Sequence, residues 1–403
     1  MQSRRNFIGK VASSLAGTLA ASNVLGANDR VRLGIIGHGA RGSEILREAL
    51  SCANVQCAGA ADVYTRRLEE VKTVAADAKT YLDYRYLLDD KSIDAVLIAT
   101  PQHLHAEHFA AALASGKHVY QEKTMAFTVA HAKKMRAAVE AAGPGRAVQI
   151  GHQWTSYGHV ADAASFLRPE LMGKVTSIEA HMYRNTPHGK PQWARPVYPD
   201  MTPENIVWKS FLGDAPPHPF DANRYINWRF FWDYSGGNVY ENMCHQIAFW
   251  YKTMGLKIPA EVTMTGGLFL WKDGREVPDT MNVSMLHEDE QMMFNWTSGF
   301  GNDELNVTET ALGDNGSIRH TPQSIAYAPQ KVNRKDANEM VGTTRNARAA
   351  HMQNFLDCVR DPARKPNCPF DLGFRVAIAC RMAVESYRQR RTVRWDAAAE
   401  EIV

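Results

Sequence analysis

Cysteine is scarce, and the little there is stays scattered. Six of 403 residues are Cys52, Cys57, Cys244, Cys358, Cys368 and Cys380, and none forms a CxxC pair. That spacing excludes a zinc ribbon or a disulfide framework. Buried free thiols are expected, with a Cys358–Cys368 bridge across a proline-containing loop as the alternative. There is no internal repeat and no low-complexity tract. Several histidines are present, but His152, His181, His188 and His245 form no compact ligand motif, so no metal is expected. Net charge is nearly absent as well. Of the formal +3, Arg4, Arg5 and Lys10 supply three positive charges before residue 28 with no acid among them, so the chain without residues 1–27 carries 3 − 3 = 0. No nucleic-acid partner is implied.

The basic leader reads Ser3-Arg4-Arg5-Asn6-Phe7-Ile8 and runs into VASSLAGTLAAS, an apolar segment too short to span a bilayer. No stable membrane insertion is expected. The paired arginines with Phe7 resemble a twin-arginine export signal over residues 1–27. The resemblance implies a chain folded in the cytosol, often with its cofactor in place, and then exported to the periplasm. The alternative is an unstructured basic N-terminus.

With 45% hydrophobic and 22% charged residues, the chain is globular, and its length calls for two domains. The stretch that organises it is VRLGIIGHGARG, residues 31–42. An apolar strand is followed by Gly37-His38-Gly39-Ala40-Arg41-Gly42 and a helix. Gly37 allows the turn, Gly39 lets a pyrophosphate approach, and Gly42 lets helix and strand pack closely. The phosphate would sit on the free N–H groups at the helix start. A second apolar run ends in Asp62, 20 residues beyond Gly42, where an acid should meet a ribose 2′-OH. The expectation is a dinucleotide site. Asp62 disfavours a 2′-phosphate, so NAD is expected rather than NADP, and Arg66 or Arg67 is placed against adenine.

Strands and helices then alternate to residue 152, the pattern of a mostly parallel sheet over 31–152. From 153 to 403 the texture changes. A strand at 175–184, a Pro-, Trp- and Tyr-rich stretch over 185–235 and a helix near 239–253 precede strand-like segments at 261–270, 280–286, 290–297, 304–311 and 316–319. An α/β Rossmann domain followed by an α+β domain with a large, mostly antiparallel open sheet is therefore expected. Residues 321–342 read as a polar surface loop, and helices near 346–359 and 373–388 complete the chain and can pack back on the first domain.

Two clusters carry chemistry. Glu122-Lys123 ends a strand of the first domain, where ligands of open α/β sheets bind. Lys123 can donate to a substrate oxygen and help move a proton; the alternative is a lysine in a surface turn. Glu241 and His245, four apart after Gly236-Gly237, share a helix face, with His245 as acid or base and Glu241 as binder or tuner. The alternative is a surface Glu–His pair. Arg184, with His181, ends a strand and is expected in the cleft, as is His152. Trp193, Arg195, Trp228, Arg229, Trp232 and Tyr234 suggest a carbohydrate site, because sugar C–H faces stack on rings; they could equally be core or subunit contacts.

The ordered set GIIGHGARG, Ala61-Asp62, Ala99-Thr100-Pro101 with His105, Glu122-Lys123 and Gly236-Gly237 leading to His245 resembles the glucose–fructose oxidoreductase / inositol dehydrogenase (Gfo/Idh/MocA) family from residue 31 onward, and His103 beside His105 is a further candidate at the cofactor. The resemblance implies a catalytic Lys123, proton transfer by His245, substrate binding by Glu241, and Thr100, Pro101 and His105 near the nicotinamide side. His105 alternatively caps the following helix. The family also commonly assembles through the open face of its second sheet, which implies a homodimer or tetramer. Three departures stand out. Thr124 replaces the usual proline, which would relax the backbone beside Lys123. Glu241 replaces aspartate, and Ala248 stands where a further aspartate is common.

The leading expectation is redox chemistry on a sugar or sugar derivative with a tightly held, internally recycled NAD. The alternative is a glycosidase that oxidises its sugar transiently, eliminates the aglycone, adds water and reduces again. A third reading is a non-catalytic sugar-binding protein.

Overall fold

The computed structural model describes residues 30–347 and 349–403. The leader at 1–27 lies outside them. Among the described residues no helix is long and apolar enough to cross a membrane.

The first domain alternates as its apolar runs dictate: β1 (Val31–Ile36), α1 (Ala40–Leu50), β2 (Val55–Ala61), α2 (Thr65–Lys72), β3 (Lys79–Tyr81), α3 (Tyr84–Asp89), β4 (Ala95–Ile98), α4 (His105–Ala114), β5 (His118–Gln121), α5 (Val129–Ala142) and β6 (Val148–Ile150). The strands pair in parallel in the order β3-β2-β1-β4-β5-β6. The order reverses between β1 and β4, so a crevice opens at their C-terminal ends, where such sheets bind ligands. All four residues of β4 are buried, as expected for a strand covered on both faces.

Beyond β6, α6 (His159–Phe166) and α7 (Pro169–Met172) lead into β7 (Val175–Met182). The insert that follows holds two short α-helices, α8 (Trp208–Leu212) and α9 (Ala222–Ile226), and a 3-10 turn at Trp228–Phe230. A π-type turn over Val239–Met243 then opens α10 (Cys244–Met254). The remaining elements are β8 (Glu261–Gly267), β9 (Thr280–His287), β10 (Met292–Gly299), β11 (Val307–Gly313), β12 (Gly316–His320), β13 (Ile325–Pro329), β14 (Met340–Val341), α11 (Ala350–Arg360), α12 (Phe370–Gln389), β15 (Val393–Asp396) and β16 (Glu401–Ile402). The ten-stranded sheet runs β14-β13-β12-β11-β7-β10-β9-β8-β15-β16. Only β7 and β10 pair in parallel. The second domain is thus a largely antiparallel α+β unit.

One face of this sheet packs on α10 and α12. Ile178, Ala180, Val283, Met285, Phe294 and Trp296 join Ile247, Trp250, Val376 and Ala383 in one core that continues into the first domain through Phe109 and Val119. The alternate residues Ser177, Glu179, Ser284 and Asn295 lie on the other face. The last helices return to the first domain. Met352, Phe355 and Leu356 of α11, at helical spacing, cover Leu33, Ile35 and Leu97.

Two expectations need correction. Residues 321–342 are not all loop: Ile325 and Tyr327 alternate inward on β13, a two-residue period too short to stand out beside the polar residues around it. The edge strands β15 and β16 also escape sequence reading, because only Val393 in β15 is fully buried. All six cysteines are free, so Cys358 and Cys368 form no bridge.

Candidate active site between the two domains

The glycine turn is built as its spacing requires. Gly37 has φ +86°, and Gly42 approaches so closely that a Cβ there would lie 2.0 Å from Gly37 O. A Cβ on Gly39 would meet nothing within 4 Å. The helix α1 begins there with no side-chain cap and no acid in its first turn, leaving its N–H groups for a ligand. A cleft of about 550 Å³ opens in front, lined by Gly37, Gly39, Ala40, Arg41, Asp62, Thr100 and Pro101. Open space over Gly39, free helix amides and a carboxylate beyond them fit a dinucleotide. Asp62 accepts from His38 N at 2.7 Å and from Tyr64 N at 3.0 Å. Burial pushes its carboxyl up to about 6 despite those two bonds.

Several expected contacts fall elsewhere. Arg66 turns away from the cleft to Asp200, with Nε–Oδ2 at 2.8 Å and Nη2–Oδ1 at 2.5 Å. Arg67, next in sequence, lines the cleft instead. The ring of His38 is buried with both nitrogens unpartnered among the described residues. His103 is not at the cofactor surface: its Nε2 meets Phe211 O at 2.8 Å. The buried His105 bridges Thr124 O at 2.9 Å and Thr100 O at 2.8 Å. Both partners only accept, so both bonds form together only on a doubly protonated ring, which burial opposes. These imidazoles hold backbone in place, because carbonyls left bare by the loops need donors. Arg41 lines the cleft but spends its Nε on Glu122 Oε1 at 2.8 Å.

The two domains meet at Lys123 and the π-type turn. Lys123 Nζ donates to Glu241 O at 2.7 Å and Glu241 Oε2 at 3.0 Å. Arg229 Nε lies 3.3 Å from the same Oε2, and Gln102 Nε2 donates to Oε1 at 2.8 Å. Burial alone would raise the Glu241 carboxyl, but Arg229 and Lys123 outweigh it and hold it at about 2. Glu241 is therefore a fully engaged anchor for two cations, not a group open to a substrate oxygen. Glu241 and His245 both lie near Lys123. Within the π-type turn at 239–243 Glu241 meets Lys123, and one residue into α10 the His245 ring stacks on Trp154 at 5.6 Å.

His245 is half-buried, with Nδ1 enclosed and unpartnered. Burial first, then Lys123 and His152, drive its pKa well below the usual histidine value, so the ring is neutral at neutral pH. His152 is fully buried 6.2 Å from it, with both nitrogens unpartnered, and burial holds it down at about 3. Arg184 faces this group: burial lowers its pKa while Glu241 raises it, and its Nη2 reaches Met182 Sδ at 3.6 Å. Thr124 is not relaxed. It is fully buried, and its hydroxyl donates to Tyr240 O at 2.7 Å across the domain boundary; the Lys123–Thr124 peptide is cis.

The aromatic insert builds its own core. Tyr234 is fully buried 5.0 Å from Phe211, and Trp193 lies 5.1 Å from Phe300. Trp232 packs against Tyr387 at 5.9 Å. Of this set, Arg195, Trp228 and Arg229 face the cleft. Sequence reading missed Gln102 and Trp154. Neither belongs to a motif on its own, and only the fold brings Gln102 to Glu241 and Trp154 to His245.

A parallel doubly wound sheet with this glycine turn and cleft defines a nicotinamide-dinucleotide-binding domain joined to an α+β partner. Residues 31–152 match the model of the oxidoreductase family with an NAD-binding Rossmann fold, GFO_IDH_MocA. The chain is 30% identical over 126 residues to scyllo-inositol 2-dehydrogenase (NADP(+)) of Bacillus subtilis, covering 31% of this chain and 35% of that protein. It is 31% identical over 147 residues to levoglucosan dehydrogenase of Pseudarthrobacter phenanthrenivorans, covering 36% of this chain and 35% of that protein. The match thus spans about a third of each relative. The fold as a whole is similar to aldose–aldose oxidoreductase from Caulobacter crescentus, with a TM-score of 0.68 over 91% of this chain and 99% of that one at 19% identity.

Proposed function

We propose that this chain is an NAD-dependent oxidoreductase acting on a secondary alcohol of a sugar or sugar derivative, with the dinucleotide tightly held and recycled in place. The observation that carries the reading is the meeting of Lys123 from one domain with the Glu241–His245 segment of the other, beside a glycine-floored cleft. Bound NAD would supply a hydride acceptor, and in the return step a donor, for the alcohol carbon. His245, neutral and with Nδ1 enclosed, takes the hydroxyl proton at Nε2. Lys123, held by Glu241, donates to the reacting oxygen and orients it. Arg184 addresses a further hydroxyl; His152, expected in the cleft, is instead fully buried behind the His245 ring. The relatives named as inositol and levoglucosan dehydrogenases support a substrate of this class.

A second reading uses the same step in a hydrolytic cycle: oxidation, elimination of the aglycone, addition of water and re-reduction. The lining of the cleft from both domains, by Asp62 and Thr100 on one side and Arg195 and Trp228 on the other, supports it, because the cofactor ends each cycle in its starting state and need not leave. Protein without added cofactor is incubated with free sugar pairs and with aryl glycosides, following product and nicotinamide absorbance together. Sugar interconversion supports the first reading and aglycone release without net NADH the second. Bound NAD with neither event points to a sugar-binding role. Full turnover in both K123M and H245N overturns the catalytic assignment.

We also propose export by the twin-arginine route, supported by Ser3-Arg4-Arg5-Asn6-Phe7-Ile8 and the apolar segment after it; full-length protein confined to the cytosol on fractionation refutes it. Assembly as a homodimer or tetramer through the open face carrying Ser284 and Asn295 is proposed likewise. A monomer in light scattering refutes it.

A further inference from the structure

We infer that residues 195–213 form a strap across the dinucleotide crevice, with Arg195 as its phosphate-facing cation, so that the second domain supplies a wall of the cofactor site. The inference rests on the oxidoreductase reading above and assigns it residues that do not belong to the glycine turn.

The strap is anchored on both banks of the crevice. After β2, Val207 N donates to Val63 O at 2.8 Å, Thr65 N donates to Asn205 O at 3.0 Å, and Tyr64 pairs with Ile206 as an antiparallel bridge. Asp200 adds its ion pair with Arg66. After β4, His103 Nε2 meets Phe211 O at 2.8 Å, and Gly213 sits so close to Leu104 that a Cβ would lie 2.5 Å from Leu104 Cδ2. The C-terminal ends of β2 and β4 flank that of β1, which carries the glycine turn. A segment fixed at both crosses the place where a dinucleotide lies.

Arg195 hangs from this strap in a defined position. Its N–H donates to Asn227 Oδ1 at 2.8 Å, and Asn227 Nδ2 returns a bond to Arg195 O at 3.0 Å. Arg195 lines the cleft together with Arg41, Arg67 and Arg229. The residue is exposed at the rim of the cleft; partial desolvation, then Arg229 and Arg67, disfavour its charge, while Tyr198 and Glu44 favour it. Positive charge gathered beside the free amides of α1 is relieved by an anion between them, and the pyrophosphate is the anion that the glycine turn is built to receive. Leaving then requires both the loss of this contact and the opening of the strap.

The test measures retention rather than turnover. Full-length wild type, R195Q, R195K and D200A are gel-filtered, and nicotinamide nucleotide per chain is quantified after denaturation. Release is then followed by chase with excess labelled NAD, with circular dichroism to confirm folding. R195Q is expected to release NAD roughly tenfold to a hundredfold faster than wild type, the effect of one charge-assisted hydrogen bond, with R195K between them. D200A, on the exposed anchor, is expected to release faster by a smaller factor. A release rate in R195Q equal to wild type overturns the clamp, and a release rate in D200A equal to wild type overturns the strap while leaving NAD binding intact. Wild type that neither retains nor binds NAD overturns the oxidoreductase reading and this inference together.

Discussion

Lys123 Nζ, on the loop after β5, lies 3.0 Å from Glu241 Oε2, on the turn that opens α10, and this ion pair joins the two domains at the candidate site. Both side chains are about nine-tenths buried, so the pair exchanges hydration for a nearly dry contact. Arg229 and Gln102 complete the carboxylate's partners.

Glu241 therefore has a stability signature. Its carboxyl is held at about 2 in the folded chain, below its ordinary unfolded value, so the stabilisation is present above that unfolded value and is lost as pH falls through about 2. E241Q is expected to lower stability at pH 7 by on the order of 3 kcal/mol, with the gap closing toward pH 2. Denaturant unfolding at several pH values checks this. A gap that is constant with pH contradicts the ion-pair account.

Asp62 runs the other way. Its folded value of about 6 lies above the unfolded one, so the folded chain binds the extra proton between about 4 and 6, and this group makes stability fall as pH rises through that window. Ribose recognition needs the anion as acceptor. NAD affinity is expected to weaken below pH 6, by up to about tenfold per pH unit, and D62N is expected to bind weakly with no such slope. Fluorescence titration from pH 5 to 8 reads both, and NADP binding tighter than NAD counts against the preference for NAD.

His245 is neutral through the physiological range because burial and Lys123 disfavour its cation. The acid limb of kcat/KM is expected well below 6.5, with turnover lost by about a hundredfold or more in H245N while NAD binding persists. An inflection at 6.5 that disappears in H245N would contradict the buried, neutral ring.

Thr124 is expected to matter for docking the domains rather than for chemistry. T124V keeps the shape but removes the buried hydroxyl that Tyr240 O accepts from, leaving that carbonyl only the weaker Cys244 thiol donor at 2.8 Å. A loss of about 1–3 kcal/mol follows. Thermal unfolding of T124V measures it, and an unchanged midpoint would show that the bond contributes nothing.

What the sequence by itself determined is local. Gly37 must take a positive φ, Gly42 must lack a side chain, and the buried apolar runs at 31–36 and 95–98 must be covered on both faces; steric and periodic constraints of that kind are written within a dozen residues. The parallel sheet and Asp62 at its strand end followed from them. The tertiary structure alone decided between neighbours and partners. Arg66 and Arg67 are equivalent in composition, yet one pairs with Asp200, 134 residues away, and the other lines the cleft. Tyr234 and Trp232 read as sugar platforms until Phe211 and Tyr387 are placed against them. The spacing brought Glu241 and His245 to one site, but only the long-range partners Lys123, Arg229 and Gln102 made Glu241 an anchor for cations rather than a binder of substrate. Such assignments depend on contacts between segments far apart in the chain, and no local pattern encodes which of several similar side chains the other domain will meet.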